Sequence, residues 1–134
     1  MSGISEPQAI EESRASNETD VIYVGYRQRG RAVVEKYPGR EPLTPDRSLK
    51  LADHSPSGFE WGYAGSGPAQ LALALLLDYT DDEDVALAEY MAFKDEVVSR
   101  LECSGPKQRW RLTGHEIDSA LRETVDEPLA PSVS

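Results

Sequence analysis

The spacing of apolar positions changes along this chain, and each change marks an element. From Val21, "VIYVGY" offers β-branched and aromatic residues, and "RAVVEKY" (Arg31 to Tyr37) offers a second such run. Between them Arg27 to Gly30 supplies a short loop ending in a glycine able to take positive φ, so the two runs predict a β-hairpin. The next stretch, "PGREPLTPDR", carries three prolines in ten residues, which excludes a central strand and predicts a returning loop. Short strands are expected at Leu49-Lys50-Leu51 and at Phe59-Glu60-Trp61-Gly62-Tyr63, where alternating aromatics put one face in the core.

The pattern then becomes helical. Pro68 suits a first helical position, with Ser66 or Gly67 as the cap. Residues 69 to 77 are almost wholly Ala and Leu, and the leucines point to nearly every side of the cylinder, so this helix must be central. After "DYTDDED", a second helix is expected from about Val85 to Leu101, with Tyr90, Phe93, Val97 and Leu101 on one stripe and Leu87, Met91 and Val98 beside it. Asp82 or Asp84 caps its positive end. Trp110-Arg111-Leu112 adds a short strand. Thr113 opens a third helix through a capping box with Glu116, Leu112 staples onto Ile117, and Ile117, Ala120 and Leu121 form the buried face up to about Thr124.

These elements predict an α+β fold of two layers, a small antiparallel sheet against three helices. A single domain over residues 21–124 is expected, between an N-terminal acidic tail, 1–20, and a C-terminal tail, 125–134, both read as mobile. The longest apolar run, Leu71 to Leu77, is too short to cross a bilayer, and the lone cysteine, Cys103, excludes an internal disulfide. The chain therefore reads as a cytoplasmic protein without membrane contact.

Charge changes the picture in one region. The net charge is −10, yet from Val21 to Lys50 seven basic side chains stand against three acidic ones. Only four basic residues of the whole chain are lysines. An acidic, lysine-poor surface suits molar salt, where the Debye length is roughly 3 Å, and equally suits an ordinary acidic protein.

Trp61-Gly62-Tyr63, Gly65-Ser66-Gly67-Pro68 and Gln70-Leu71-Ala72, with the Tyr90–Phe93–Val97 helix and Trp110 before Leu112-Thr113, resemble a domain-of-unknown-function family, number 6166, whose hallmark is a "WGYxGSGPxQLA" string. The resemblance covers roughly residues 21 to 124. It implies small proteins of halophilic archaea, bacteria and mobile elements, and it brings no established activity, cofactor or catalytic residue.

Candidate sites follow from the residues themselves. Trp61, Gly62, Tyr63, Gly65, Ser66, Gly67, Pro68 and Gln70 form a glycine-rich corner entering a helix. As an anion cradle it would use backbone N–H groups, the helix dipole, the Ser66 hydroxyl and the Gln70 amide; as a turn it needs only Gly65 or Gly67 at positive φ. It matches no standard phosphate loop and has no lysine nearby in sequence. The hairpin with Tyr26, Arg27, Arg29 and Arg31 is the second candidate, with Tyr23 and Tyr37 close by, suited to another protein or to nucleic acid. His54, Cys103 and His115 show no metal-ligand or nucleophile spacing, so no catalytic residue, metal or cofactor is expected. The expectation is a non-enzymatic intracellular interaction module that binds another protein through its sheet edge or its arginine hairpin. A small anionic ligand, or an enzyme too small to show a standard motif, at the Gly65-Ser66-Gly67-Pro68 corner, and nucleic acid at the Arg27-Arg29-Arg31 hairpin, are the alternatives.

Overall fold

The computed structural model describes residues 21–122. Both expected tails, and the expected end of the last helix near Thr124, lie outside the described residues. β1 (Ile22–Gln28) and β2 (Arg31–Tyr37) form the hairpin, β3 (Glu41–Pro42) is a two-residue edge, and β4 (Arg109–Thr113) pairs with β1. The sheet is antiparallel, in the order β3-β2-β1-β4. Helices α1 (Asp46–Leu49), α2 (Ser66–Thr80), α3 (Glu83–Glu96) and α4 (residues 114–122) complete the α+β fold, with a 3₁₀ turn at Val98–Arg100.

The hairpin turn is shorter than the sequence suggests. Arg29 and Gly30, at φ 54° and 81°, make a two-residue loop of the kind whose twist matches that of the strands, so Arg27 belongs to β1. Pro42 sits on the edge strand, where its missing N–H costs no ladder bond.

α2 is the centre of the molecule. Every residue from Gly67 to Leu77 is buried, and Leu71, Leu73, Leu75, Leu76 and Leu77 share one cluster with Tyr23, Val34, Trp110 and Leu112 of the sheet, Phe93 of α3 and Ile117 of α4. Burial of each such leucine stabilises by about 1.5–3 kcal/mol before entropy is subtracted. The helix begins at Ser66 with Gly65 as N-cap, two residues before the expected start, so Pro68 takes the third helical position. That position is still within the first turn, where a missing N–H breaks no intrahelical bond. Asp81, in the left-handed region at φ 54°, ends α2, and Asp82 caps α3 by accepting from the Val85 N–H at 3.1 Å.

Several expectations are corrected. Leu49-Lys50-Leu51 is not a strand: Pro45 and Asp46 start a helical turn, and the Ser48 hydroxyl donates back to the Pro45 carbonyl at 2.9 Å. Residues 59–63 are irregular, flanked and broken by Gly58 at φ 136° and Gly62 at φ 88°, with Phe59 and Trp61 buried and Tyr63 exposed. The second helix ends at Glu96, and Leu87 and Met91 face solvent because the stripe turned to α2 runs through Ala86, Phe93 and Val98. The capping box at Thr113 is present: the Thr113 N–H donates to Glu116 Oε1 at 2.9 Å and the Glu116 N–H to Thr113 Oγ1 at 3.1 Å.

One close approach locks β1 against β4 on the inner face of the sheet. Gly25 and Trp110 are cross-strand partners, and the Trp110 indole lies across the glycine so closely that a Cβ there would sit 2.1 Å from its Cε2. Gly25→Ala must displace a buried ring, and is expected to destabilise the protein by about 1–3 kcal/mol in urea unfolding followed by circular dichroism.

Candidate functional site

The glycine-rich corner is built around packing. Trp61 is buried, with its ring edge-on to Trp110 at 5.4 Å. The Arg27 guanidinium lies 4.7 Å from the centre of the Trp61 ring and grips Glu60 through two bonds of 2.7 and 3.3 Å. Gly62 supplies the positive φ of the corner, while its N–H donates to the Val98 carbonyl at 3.1 Å. Gly65 is extended at φ −151°. A Cβ on Gly67 would lie 2.7 Å from the Glu60 Cβ, so the acidic residue already packs on the first turn of α2.

Gln70 gives the corner its second function as a tether. It is fully buried, and all four hydrogen-bonding positions of its amide are filled by protein. Its Oε1 accepts from the His54 and Ser55 N–H groups at 2.7 and 2.9 Å. Its Nε2 donates to Ser48 Oγ at 2.8 Å and to the Ala52 carbonyl at 3.0 Å. The amide therefore holds segment 48–55 against α2 and has nothing left for an anion. Pro68 lacks an N–H, Ser66 is exposed and Tyr63 stands half in solvent.

The hairpin residues separate by strand alternation. Tyr26 and Arg31 lie on one face, Arg29 at the tip, and Arg27 on the opposite face against Glu60 and Trp61. Tyr23 is also on that inner face, fully buried, donating to Asp78 Oδ2 at 2.6 Å. Burial, and then this bond to a carboxylate, push its phenol far above the usual tyrosine range. Several basic side chains of the region answer the protein's own acids: Lys36 pairs with Asp78 at 3.1 Å, Arg47 with Asp81 at 2.7 Å and Arg40 with Glu35 at 3.4 Å. Arg29 and Arg31 have no ion pair among the described residues.

The outer face of the sheet joins Tyr26 and Arg31 to residues the motif reading missed. Cross-strand register puts Tyr26, Arg31, Val33, Glu35 and Tyr37 beside Arg109 and Arg111 of β4. Glu35 sits at the centre, its side chain 13% exposed, accepting from the Tyr26 and Tyr37 hydroxyls at 3.0 Å each and pairing with Arg40. Burial alone would raise its pKa, but the two hydroxyls and Arg40 outweigh that and hold the carboxyl below the usual range. The Arg109 guanidinium covers the Tyr26 ring at 5.5 Å. Arg31 and Arg111 are exposed. Period-two alternation in "RAVVEKY" and "RWRLT" is the signal that would have found this face.

His54 Nε2 meets the Tyr90 hydroxyl at 2.7 Å, His115 is exposed, and Cys103 is a free, half-buried thiol. Among the described residues no group of three or more His, Cys, Asp or Glu is placed to hold a metal ion, and no helix is long and apolar enough to cross a membrane.

With that geometry in hand, the sequence profile of a family of unknown function, DUF6166, matches residues 23–123. No curated protein and no solved structure matches the chain.

Two outcomes test the roles assigned to these residues. Gln70→Leu removes the four hydrogen bonds of a buried amide, and is expected to cost about 2–4 kcal/mol in urea unfolding and to speed amide exchange at His54 and Ser55. For Glu35, a folded-state pKa below the ordinary 4.5 gives stability that is present above that value and lost as pH falls through the lower one. Wild type should therefore exceed Glu35→Gln by about 1 kcal/mol near neutral pH in thermal melts, the gap closing as pH falls below 4.5.

Proposed function

The chain belongs to the DUF6166 family, and because that membership lends it no activity, we propose from its own surfaces that it is a non-enzymatic docking module holding an acidic segment of another protein on the outer sheet face. One observation carries this reading. In a chain of net charge −10, this face presents Arg31, Arg40, Arg109 and Arg111 with two tyrosines around a single carboxylate, Glu35, whose oxygens are already engaged. No described helix packs on it, since the apolar cluster joins α2, α3 and α4 to the opposite face. A surface inverted in sign relative to the rest of its molecule selects oppositely charged partners and speeds their encounter.

A protein segment fits better than nucleic acid. The Tyr26 ring is covered by Arg109, and both tyrosine hydroxyls are spent on Glu35, so this ring offers less for base stacking. A long phosphate backbone would also pass the acidic remainder of the surface, whereas a short acidic segment need only reach the arginines.

The test is affinity capture with full-length protein from cells of its native host, with and without nuclease treatment, against an Arg31→Ser/Arg109→Ser/Arg111→Ser variant of equal melting temperature. An acidic partner is expected to be retained by the wild type and reduced at least about tenfold with the variant. Equal retention on both would overturn the docking reading, and loss of the captured material on nuclease treatment would favour nucleic acid.

A further inference from the structure

The register of the hairpin leaves part of β2 open. The Val34 carbonyl accepts from the Leu43 N–H at 2.9 Å, so residues 32, 34 and 36 turn their backbone groups away from β1. β3 pairs only with Glu35 and Lys36, and the chain then leaves the sheet through Thr44 and Pro45 into α1. The Ala32 N–H and C=O and the Val34 N–H therefore point outward with no hydrogen-bond partner among the described residues. An unpaired edge of this kind is a template for another strand.

A groove of about 520 Å³ runs along this edge, between β2 and the loop at 55–60. Val34, Leu43 and Phe59 line it with apolar surface. Glu60 also borders it, but its carboxylate is neutralised by Arg27. Arg29 at the tip and Arg31 at the start of β2 are exposed and lack an ion pair among the described residues, so the uncompensated charge beside the open edge is positive.

We propose that β2 captures an extended segment of its partner as an added strand, in line with β3, with apolar residues turned toward Val34 and Phe59 and acidic residues turned toward Arg31. Strand alternation places Ala32 and Val34 toward the groove and Arg31 and Val33 toward the outer face, so an added strand meets apolar and cationic surroundings at successive residues. A second copy of this chain is a poor occupant, because antiparallel pairing of β2 with its twin brings the Arg31 side chains of both copies onto one face as diagonal neighbours. The inference rests on the docking reading for the acidic class of partner, and adds the conformation in which that partner is held.

The experiment uses isotope-labelled full-length protein and the capped peptide Glu-Val-Glu-Val-Glu-Ser, followed by calorimetry and amide exchange. Binding is expected to slow exchange at Ala32 and Val34 at least tenfold. Ala32→Pro, whose lost N–H lies outside the β1–β2 ladder, should keep the wild-type melting temperature and bind at least fivefold more weakly. The peptide with N-methylated valines, tested on wild type, gives the same answer should Ala32→Pro fail to fold: it is expected not to bind. Peptide binding with Ala32 and Val34 unprotected, and with both substitutions indifferent, would overturn strand addition while leaving charge-based docking intact. Absence of peptide binding at millimolar concentration would also overturn it, and the arginine-to-serine capture experiment would still decide the docking reading separately.

Discussion

A helix that is apolar on every side cannot rest on one neighbour. α2 carries leucine and alanine around its whole circumference, so its burial requires a sheet below, α3 and α4 alongside, and some further cover over its first turns. The last of these is supplied by a segment with little regular structure, 48–63, and irregular backbone packs against such a helix only if its polar groups are satisfied. Gln70 answers that need from inside the helix itself, bonding two amides, a carbonyl and a hydroxyl of the segment. The glycine-rich corner then follows as the joint that lets Trp61 and Glu60 come close to the start of the helix.

Much of this was legible in the sequence because it follows from local periodicity. The hairpin, the buried axis of Leu71 to Leu77, the Asp82 cap and the Thr113–Glu116 box all rest on residues near one another in the chain, where spacing and chemistry decide. The failures share a cause in tertiary context. Residues 59–63 alternate like a strand, yet no strand of the sheet pairs with them, and Phe59 and Trp61 are buried by contacts to distant elements instead. Leu87 and Met91 match the helical period, but the partner helix meets only a narrower stripe. Gln70 looked like a ligand group because its partners at 48–55 lie well upstream and no spacing announces them.

The charge inversion of the hairpin region was visible in composition, but its distribution over two faces was not. Strand alternation divides the cations: Arg27 and Lys36 turn inward to Glu60 and Asp78, while Arg31 turns outward and joins Arg109 and Arg111 from a strand more than seventy residues later. Inward, the charges knit the sheet to the acidic residues around α2; outward, they define a surface of sign opposite to the molecule. A single stretch of basic sequence thus does two jobs, and only the register assigns each residue to one of them.

The two indoles give the molecule a property of a different kind. Trp61 and Trp110 are the chain's whole complement of tryptophan, and they lie 5.4 Å apart, at the joint where the glycine corner meets the sheet. The native emission spectrum is therefore a local signal from one spot, with a cationic guanidinium resting on one of its chromophores. Any event that loosens the corner from β4 writes itself into that fluorescence without an added label.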